Sequence, residues 1–298
     1  MSQSSKRSVL VTGCSQGSAG NALALQFAAQ GFRVFATARS LKTLSNLAEA
    51  GIEILTLDVT QPESIAAVKS QIASRTGGSL DILFNNAVYE APAIEADAAR
   101  VRSLFSTNVF GLMEMVTAFT PLLLASVPSG HEPTIINVAS VLARLPSPFT
   151  SAYNATKAAV AAYSDTLRLE VQPLGIRVVT LYMGEVSTPL MTTDNINFGP
   201  ESIYRDAEAA VKQRTVTHLE KTMPPEQFAR EVVGEIVNGK RSFLWKGSNA
   251  FTVWLLNAVG PRTVFDSTMV KAAGLDNKQT KASVFKQGQA AAGKMAQM

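Results

Sequence analysis

The stretch that decides the fold is "VTGCSQGSAG", residues 11–20. An apolar run, "SVLV", leads into it, and "NALALQFAAQG" (21–31) follows with helical periodicity and a terminal glycine. Glycines at these spacings permit a tight turn and a close approach to a pyrophosphate, and the helix N-terminus adds N–H groups with partial positive charge. The alternative is a purely structural turn, but strand, loop and helix in this order favour dinucleotide binding. The binding candidates here are Gly13, Ser15, Gly17 and Gly20.

Short apolar strands alternate with helical patterns along the rest of the chain. The strands are predicted at 8–13, 32–38, 53–59, 80–87, 134–140, 176–182 and 241–247, and the helices at 21–31, 41–51, 62–75, 98–125, 151–172 and 226–238. Strands that are apolar along their whole length indicate a parallel sheet covered on both faces. We therefore expect one α/β domain over residues 1–298, with a doubly wound, Rossmann-type sheet of about seven strands and helices on both faces.

Two segments fit this alternation poorly. Residues 184–225 follow the end of a strand, where ligands bind in such folds, so we interpret them as a substrate-covering loop. Residues 248–298 form a C-terminal extension.

Composition excludes several classes of function. The chain has 298 residues, a single cysteine and two histidines, so a disulfide, a metal site or a Ser–His–Asp triad is not expected. No apolar stretch reaches the length of a transmembrane helix, and no signal peptide precedes the first strand. Cys14 is expected to be a small packed side chain.

The net charge of +4 belongs to the C-terminal tail. One acidic residue lies there, Asp276, beside five basic ones, and the remaining chain is electrically neutral. The basic residues are Lys271, Lys278, Lys281, Lys286 and Lys294. A neutral body without a basic stripe argues against nucleic-acid binding. We interpret the tail as solvated and frayed, with attraction to an anionic membrane or an acidic partner as the alternative.

The second strand indicates which nicotinamide cofactor is used. NAD enzymes place an acidic residue near its end to bind the ribose 2′-hydroxyl, whereas "FRVFATARS" has no acid and ends with Arg39. A guanidinium suits a 2′-phosphate, so NADP(H) is predicted. A surface arginine beside the strand is the alternative.

These motifs, in this order, resemble the short-chain dehydrogenase/reductase family over about residues 7–190. The matching stretches are "TGCSQG", "LDVT" (57–60), "NNAV" (85–88), "STNVFG" (106–111), "INVAS" (136–140), "YNATK" (153–157) and "MGEVST" (183–188). The resemblance implies cofactor contacts from Asp58, Val59, Asn85, Ala87, Tyr153, Lys157, Val186 and Thr188. It implies Asn108, Ser140, Tyr153 and Lys157 as catalytic residues and hydride transfer as the reaction.

The chemistry explains the pairing of Tyr153 with Lys157. Hydride transfer to a carbonyl builds negative charge on oxygen, so an acid must deliver a proton there. A free phenol has a pKa of about 10 and is a slow acid–base group at neutral pH, whereas a nearby ammonium lowers that pKa. Positions four apart share a helix face. In the family, this lysine also holds the nicotinamide ribose, Ser140 orients the substrate oxygen, and Asn108 holds a water that links the lysine to solvent.

Three departures from the family pattern concern the pocket and the glycine loop. Val88 replaces a glycine, Met183 replaces a proline, and "GSAG" replaces the usual Gly-Ile-Gly ending. The first two border the expected substrate pocket. We expect Phe149 and residues 185–225 to line its mouth, and Arg144 is the one candidate for binding a phosphate.

The substrate expectation is an apolar ketone or aldehyde of lipid, terpenoid or polyketide type, reduced with NADPH. The pattern is most similar to a fungal subgroup that includes NADPH-dependent 1-acyldihydroxyacetone-phosphate reductases, so that activity is an alternative. A further alternative is a cofactor-binding scaffold, cyclase or sensor without redox chemistry, against which the complete set of catalytic residues argues.

The segment from residue 243 onward is apolar and aromatic until the lysine tail begins. It is expected to close the pocket or to form an oligomer contact; peripheral membrane contact through 243–298 is the alternative. We expect a homodimer or homotetramer that pairs through the long helices. The expected location is the cytoplasm, with peripheral contact at an internal membrane as an extension.

Overall fold

The computed structural model describes residues 6–85, 94–188 and 196–295, without the side chains of 218–221 and 293–295. Seven strands form one parallel sheet in the order β3-β2-β1-β4-β5-β6-β7. They are β1 (Ser8–Val11), β2 (Arg33–Ala38), β3 (Glu53–Thr56), β4 (Ile82–Asn85), β5 (Thr134–Ser140), β6 (Arg177–Met183) and β7 (Phe243–Lys246). The predicted Rossmann-type α/β fold with seven strands is confirmed.

The central strands are largely apolar because both faces of the sheet are covered there. In β1, Val9 and Val11 point to one face while Leu10 points to the other, and all three are fully buried. Each apolar side chain of this size stabilises the fold by about 1.5–3 kcal/mol when buried. Strands in which polar and apolar residues alternate would instead expose one face of the sheet to solvent.

One face of the sheet is covered by α1 (Ala19–Ala29), α2 (Ser45–Glu49) and α8 (Pro225–Asn238). Phe27 and Phe228 are fully buried in this layer. Helix α2 is short because the predicted 41–51 helix begins as a 3-10 turn at Leu41–Leu44.

The other face is covered by α3 (Pro62–Thr76), α5 (Gly111–Ser126) and α6 (Ser151–Val171). Helix α4 (Ala98–Phe105) runs into α5 through one π-helical turn, Ser106–Phe110. By length and composition alone, the continuous helical run from Ala98 to Ser129 could cross a membrane, but half of its apolar window is buried in the protein. We therefore identify it as a core helix.

After β6 the chain forms α7 (Glu208–Lys221), and after β7 it forms α9 (Ala250–Val259), α10 (Asp266–Ala272) and α11 (Lys278–Met295). The interpretation of the lysine tail as frayed is wrong, because the tail forms α11. Ser283 of α11 donates a hydrogen bond to Asp206, which lies just before α7. Helix α11 thereby contacts the segment just before α7, which belongs to the stretch 184–225 that was predicted to cover the substrate.

The parallel arrangement places the carboxyl ends of all strands at one edge. The order of the strands reverses at β1, whose neighbours are β2 and β4. In open sheets of this kind the crevice at such a switch point is where ligands bind. The functional site is therefore expected beyond residues 11, 38, 56, 85, 140 and 183.

Candidate active site

A large cavity of about 1810 Å³ lies at this edge of the sheet. Its volume exceeds the range of about 300–1,000 Å³ that is usual for one small ligand. The cavity therefore has room for a dinucleotide together with a substrate. Residues that follow β1, β2, β3, β5 and β6 line it, and helices α7 and α10 contribute from the other side.

The glycine loop forms the wall beside α1. Gly13 and Gly17 have φ angles of 71° and 79°, in the left-handed region that glycine adopts without strain. Ser18 is the N-cap of α1: its Oγ accepts from the Asn21 N–H at 3.1 Å and donates to the Gly13 carbonyl at 3.1 Å. The capping serine thus fixes the loop against the helix N-terminus. It was not among the predicted site residues, although a serine before a helix is a recognised capping signal.

The predicted cofactor residues of this loop take two positions. Gly13 and Ser15 line the cavity, together with Gln16 and Ser18. Gly17 shapes the turn, and Gly20 is buried in the first turn of α1. Cys14 is fully buried, and burial raises the pKa of its thiol to about 12. The prediction of a small packed side chain is confirmed.

Arg39, Asp58 and Val59 also line the cavity, at the ends of β2 and β3. The Oδ1 atom of Asp58 accepts from the backbone N–H of Thr60 at 2.9 Å and from its hydroxyl at 2.7 Å. This local turn ends β3 earlier than the sequence predicted.

Ser140 and Tyr153 line the same cavity, Ser140 at the end of β5 and Tyr153 in the first turn of α6. The Ser140 hydroxyl accepts from the Leu142 N–H at 3.1 Å and donates to the Met183 carbonyl at 3.4 Å. Both side chains are nearly buried, at 6% and 8% exposure. Each can still present its hydroxyl to a ligand in the cavity.

Lys157 lies behind Tyr153, with its Nζ atom 5.8 Å from the centre of the tyrosine ring. The ammonium donates to the Val138 carbonyl at 2.7 Å and is 2% exposed. Burial lowers the pKa of this lysine to about 7. A lysine so placed can gain and lose a proton near neutral pH.

Asn108 is presented by the π-helical turn between α4 and α5. Its amide nitrogen donates to the Thr156 hydroxyl at 3.0 Å, while its buried Oδ1 has no hydrogen-bond partner among the described residues. Asn108 and Lys157 line a second, small cavity of about 10 Å³, together with Asn85 and Thr12. A space of this size, lined by polar groups, suits about one water molecule.

The structure therefore brings most of the predicted site residues to two adjoining cavities. Val186 and Thr188 line the large one, whereas Asn85 lies at the small one, where it donates to Asn137 at 3.1 Å. Ala87 and Val88 lie outside the described residues. Among those that are described, no group of three or more His, Cys, Asp or Glu side chains could hold a metal ion.

The half of the large cavity beyond Ser140 has a group of apolar side chains in its lining, beside polar ones such as Gln213 and Thr217. The apolar side chains are Val141, Leu142, Leu145, Met183, Ala210, Met269 and Ala272. Residues after 184 contribute as predicted, and Met183 borders the pocket. Phe149 was expected in the lining, but its ring packs on Phe198 at 4.9 Å and on Tyr204 at 5.3 Å instead. It anchors the segment before α7.

Sequence reasoning missed the cations of this half. Arg144, the predicted phosphate candidate, is exposed and does not line the cavity, whereas Arg100, Arg214 and Lys271 do. Arg214 lies on the α7 face that also presents Ala210, Gln213 and Thr217 to the cavity. Its position was hidden because the stretch 184–225 has no readable strand or helix pattern.

Comparison with known proteins identifies the family. A family model described as short chain dehydrogenase matches residues 7–197. The chain belongs to the short-chain dehydrogenase family. It is therefore an oxidoreductase, as the glycine loop and the Tyr153–Lys157 pair predicted.

Two fungal short-chain dehydrogenases are similar over most of the chain. The protein ptmH of Penicillium ochrochloron is 37% identical over 275 residues, which cover 91% of this chain and 99% of that one. The NADPH-dependent 1-acyldihydroxyacetone phosphate reductase of Schizosaccharomyces pombe is 38% identical over 240 residues, which cover 78% and 79% of the two chains. The predicted likeness to a fungal subgroup is confirmed.

A short chain dehydrogenase from Burkholderia cenocepacia, solved in complex with NADP, has the same fold with a TM-score of 0.69. It is 25% identical, and the match covers 90% of this chain and 99% of that one.

Proposed function

We propose that this enzyme reduces a ketone or aldehyde group of an apolar substrate to an alcohol, with NADPH as the reductant. One observation carries the proposal: the glycine loop, Arg39, Ser140 and Tyr153 all line one cavity, and its far half carries a group of apolar side chains. A dinucleotide at the loop and a carbonyl at the two hydroxyl groups would be neighbours there.

The lining fits NADP(H) at the end of the cavity beside β1 and β2. The capped N-terminus of α1 offers N–H groups for a pyrophosphate. Arg39 would supply the guanidinium for a 2′-phosphate, and Asp58 and Val59 line the same cavity, where they would contact the adenine. The S. pombe relative uses NADPH by name, and the B. cenocepacia structure contains NADP. When bound, NADPH supplies the hydride for the carbonyl carbon.

The residues of this chain supply the proton. We infer that the Tyr153 hydroxyl donates its proton to the carbonyl oxygen, while the Ser140 hydroxyl exchanges its long hydrogen bond to the Met183 carbonyl for one to the same substrate oxygen. The ammonium of Lys157 lies close enough to favour the tyrosinate that remains. Asn108 borders the small cavity with Lys157, so a water there would reconnect the lysine to a proton source.

The proposed substrate preference follows from the apolar side chains in the far half of the cavity. Leu142, Leu145, Met183 and Met269 would contact the part of the substrate that does not react. Burial of apolar substrate surface against these side chains favours binding by about 25 cal/mol for each Å² removed from water. Lipid, terpenoid and polyketide ketones therefore suit the site better than sugars or small hydroxy acids.

NADPH consumption with a panel of apolar ketones and aldehydes tests this function. The expected result is turnover that rises with the apolar area of the substrate and is greater with NADPH than with NADH. If the purified chain binds NADPH tightly but consumes none with any carbonyl, it is a scaffold, cyclase or sensor instead.

A second candidate, reduction of an acyl-dihydroxyacetone phosphate, is favoured by the cations in the substrate half. Arg214 and Lys271 line it from α7 and α10. A guanidinium near an apolar wall would bind the phosphate of an amphiphilic ketone. The Nη1 atom of Arg214 donates to the Ser147 hydroxyl at 3.4 Å, six residues before Tyr153. The similarity to the S. pombe reductase points to the same substrate.

The test compares 1-palmitoyl-dihydroxyacetone phosphate with its dephosphorylated form. The second candidate predicts a higher kcat/KM for the phosphate and a loss of about tenfold to a hundredfold in R214Q, mainly through KM. K212Q is the matched control, because Lys212 lies on the same helix but pairs with Glu208 and does not line the cavity. Equal kcat/KM for both ketones would reject the phosphate while leaving apolar carbonyl reduction intact.

A further inference from the structure

Helix α9 presents two different faces. Its inner face, with Ala250 and Val253, is buried against Val141 at the edge of the active-site cavity. This contact fixes the orientation of the helix on the protein. The outer face is therefore held in one direction by packing and is not free to turn inward.

The outer face of α9 is apolar and exposed. Its members lie at the spacing of a single helical stripe: Phe251, Trp254, Leu255, Ala258 and Val259. The exposed fractions are 66% for Phe251, 43% for Trp254, 40% for Leu255 and 75% for Val259. The rings of Phe251 and Trp254 pack together with centroids 5.5 Å apart. No charged residue occurs in the sequence of this helix.

The segments that follow α9 are basic. Their exposed cations are Arg262, Lys271, Lys278, Lys281 and Lys286. The whole net charge of +4 arises from residue 271 onward, as the sequence showed. An exposed Phe285 lies among the lysines of α11. An apolar aromatic stripe followed along the chain by exposed cations is the composition that favours binding in the plane of a membrane interface.

We propose that the outer face of α9 binds the surface of an anionic lipid bilayer, with the basic segments 262–286 as the electrostatic part of the contact. Aromatic side chains favour the level of the headgroups, and cations favour anionic lipids. A second copy of the chain fits less well, because it would carry the same positive charge on the same segments.

The position of this face relative to the cavity gives membrane binding a consequence for substrate supply, which the reaction alone does not require. Helix α10 follows α9 directly and contributes Met269 and Ala272 to the cavity. A protein docked through α9 would hold the cavity lining near the lipid surface. Apolar substrates partition into bilayers, so docking would raise the substrate concentration near the active site. The membrane contact itself does not depend on the identity of the substrate.

The chain contains two tryptophans, which permits a direct test. In W245F, Trp254 is the sole tryptophan and reports from the outer face of α9. With vesicles of phosphatidylcholine and about one third phosphatidylserine, we expect its emission to shift to the blue and to be quenched by brominated lipids. In W254F, Trp245 remains, stacked on Tyr182 at 4.1 Å, and its emission should not respond.

Vesicle co-sedimentation of the full chain separates the two parts of the contact. F251S/L255S should lower the partition coefficient by about tenfold or more. The triple variant K278Q/K281Q/K286Q should lower the partition coefficient by about fivefold per lysine. Raising the salt concentration should also lower the partition coefficient of the wild type. L169S is the matched control: it removes an exposed leucine, 59% accessible, from α6 and should not change binding.

Three results would overturn the proposal. The first is an unchanged Trp254 spectrum in W245F with anionic vesicles. The second is equal loss of vesicle binding in L169S and F251S/L255S. The third is a wild-type dimer, measured by light scattering, that F251S/L255S converts to monomers while vesicle binding is absent, which would assign the face to a second copy.

Discussion

Arg39 is the residue on which the choice between NADP(H) and NAD(H) depends, because it is the cation at the end of β2 that lines the cavity. A charge-assisted hydrogen bond to a phosphate contributes about 1.5–3 kcal/mol. We therefore predict that R39Q raises the KM for NADPH by about tenfold to a hundredfold and leaves the KM for NADH nearly unchanged. Steady-state kinetics with both cofactors measures this.

The control for Arg39 is K42Q. Lys42 is an exposed cation three residues further on that does not line the cavity. It should retain the wild-type preference for NADPH. A wild-type enzyme that prefers NADH would show that Arg39 has no cofactor role.

Lys157 determines the pH dependence that we expect for reduction. Burial lowers its pKa to about 7, so the ammonium form is present below pH 7 and is lost as the pH rises through that value. Only the ammonium favours the tyrosinate that remains after proton donation. We predict that kcat/KM for reduction falls above about pH 7, since this parameter reports groups of the free enzyme. A profile that stays level from pH 6 to about pH 9 would contradict this role.

At the scale of elements, Asp81 joins β1, β4 and the end of α5 at the edge of the sheet opposite the active site. Its carboxylate accepts from the Ser8 N–H at 2.7 Å, from the Ser126 hydroxyl at 2.6 Å and from His131 at 3.0 Å. Burial alone would raise its pKa, but the hydrogen bonds from Ser126 and Ser8 and the charge of His131 together hold it below its usual value. Asp81 is thus expected to stabilise the sheet.

We predict that D81N lowers the free energy of unfolding by about 2 kcal/mol at pH 7. The stabilisation from a carboxyl group with a lowered pKa is present above its usual pKa, about 3.9, and is lost as the pH falls through the folded value. The difference between wild type and D81N in urea unfolding should therefore shrink below about pH 4. D276N removes an exposed carboxylate and is the control; a wild-type–D81N difference that is constant with pH would exclude the assignment.

Most of the elements that carry the site could be predicted from the sequence. The elements that could not be predicted were missed for physical reasons. Strands β1, β2, β4, β5 and β6 are short, largely apolar and buried on both faces, so their pattern is clear. The π-helical turn that presents Asn108 has no such pattern, because the residues around it have ordinary helix-forming composition. The 41–51 helix begins as a 3-10 turn, a difference that composition does not encode.

At the scale of the whole molecule, long-range packing decided what sequence reasoning missed. Arg214 lines the cavity from α7; α10 packs on this helix, and α11 packs on the segment before it. The tail was expected to be frayed, yet its exposed residues Lys278, Lys281 and Lys286 belong to a helix that also carries Ser283, which bonds to Asp206. A contact between residues 77 positions apart leaves no local signal in a single sequence. The family motifs, by contrast, are local and were readable in order.

The central claim is that Tyr153 is the acid of an NADPH-dependent carbonyl reductase. The most direct measurement compares Y153F with the wild type in NADPH oxidation on an apolar ketone, alongside NADPH binding by fluorescence. Removal of a general acid costs about a hundredfold to ten-thousandfold in rate. We predict that loss in kcat for Y153F with NADPH affinity retained; wild-type turnover in Y153F would contradict the account.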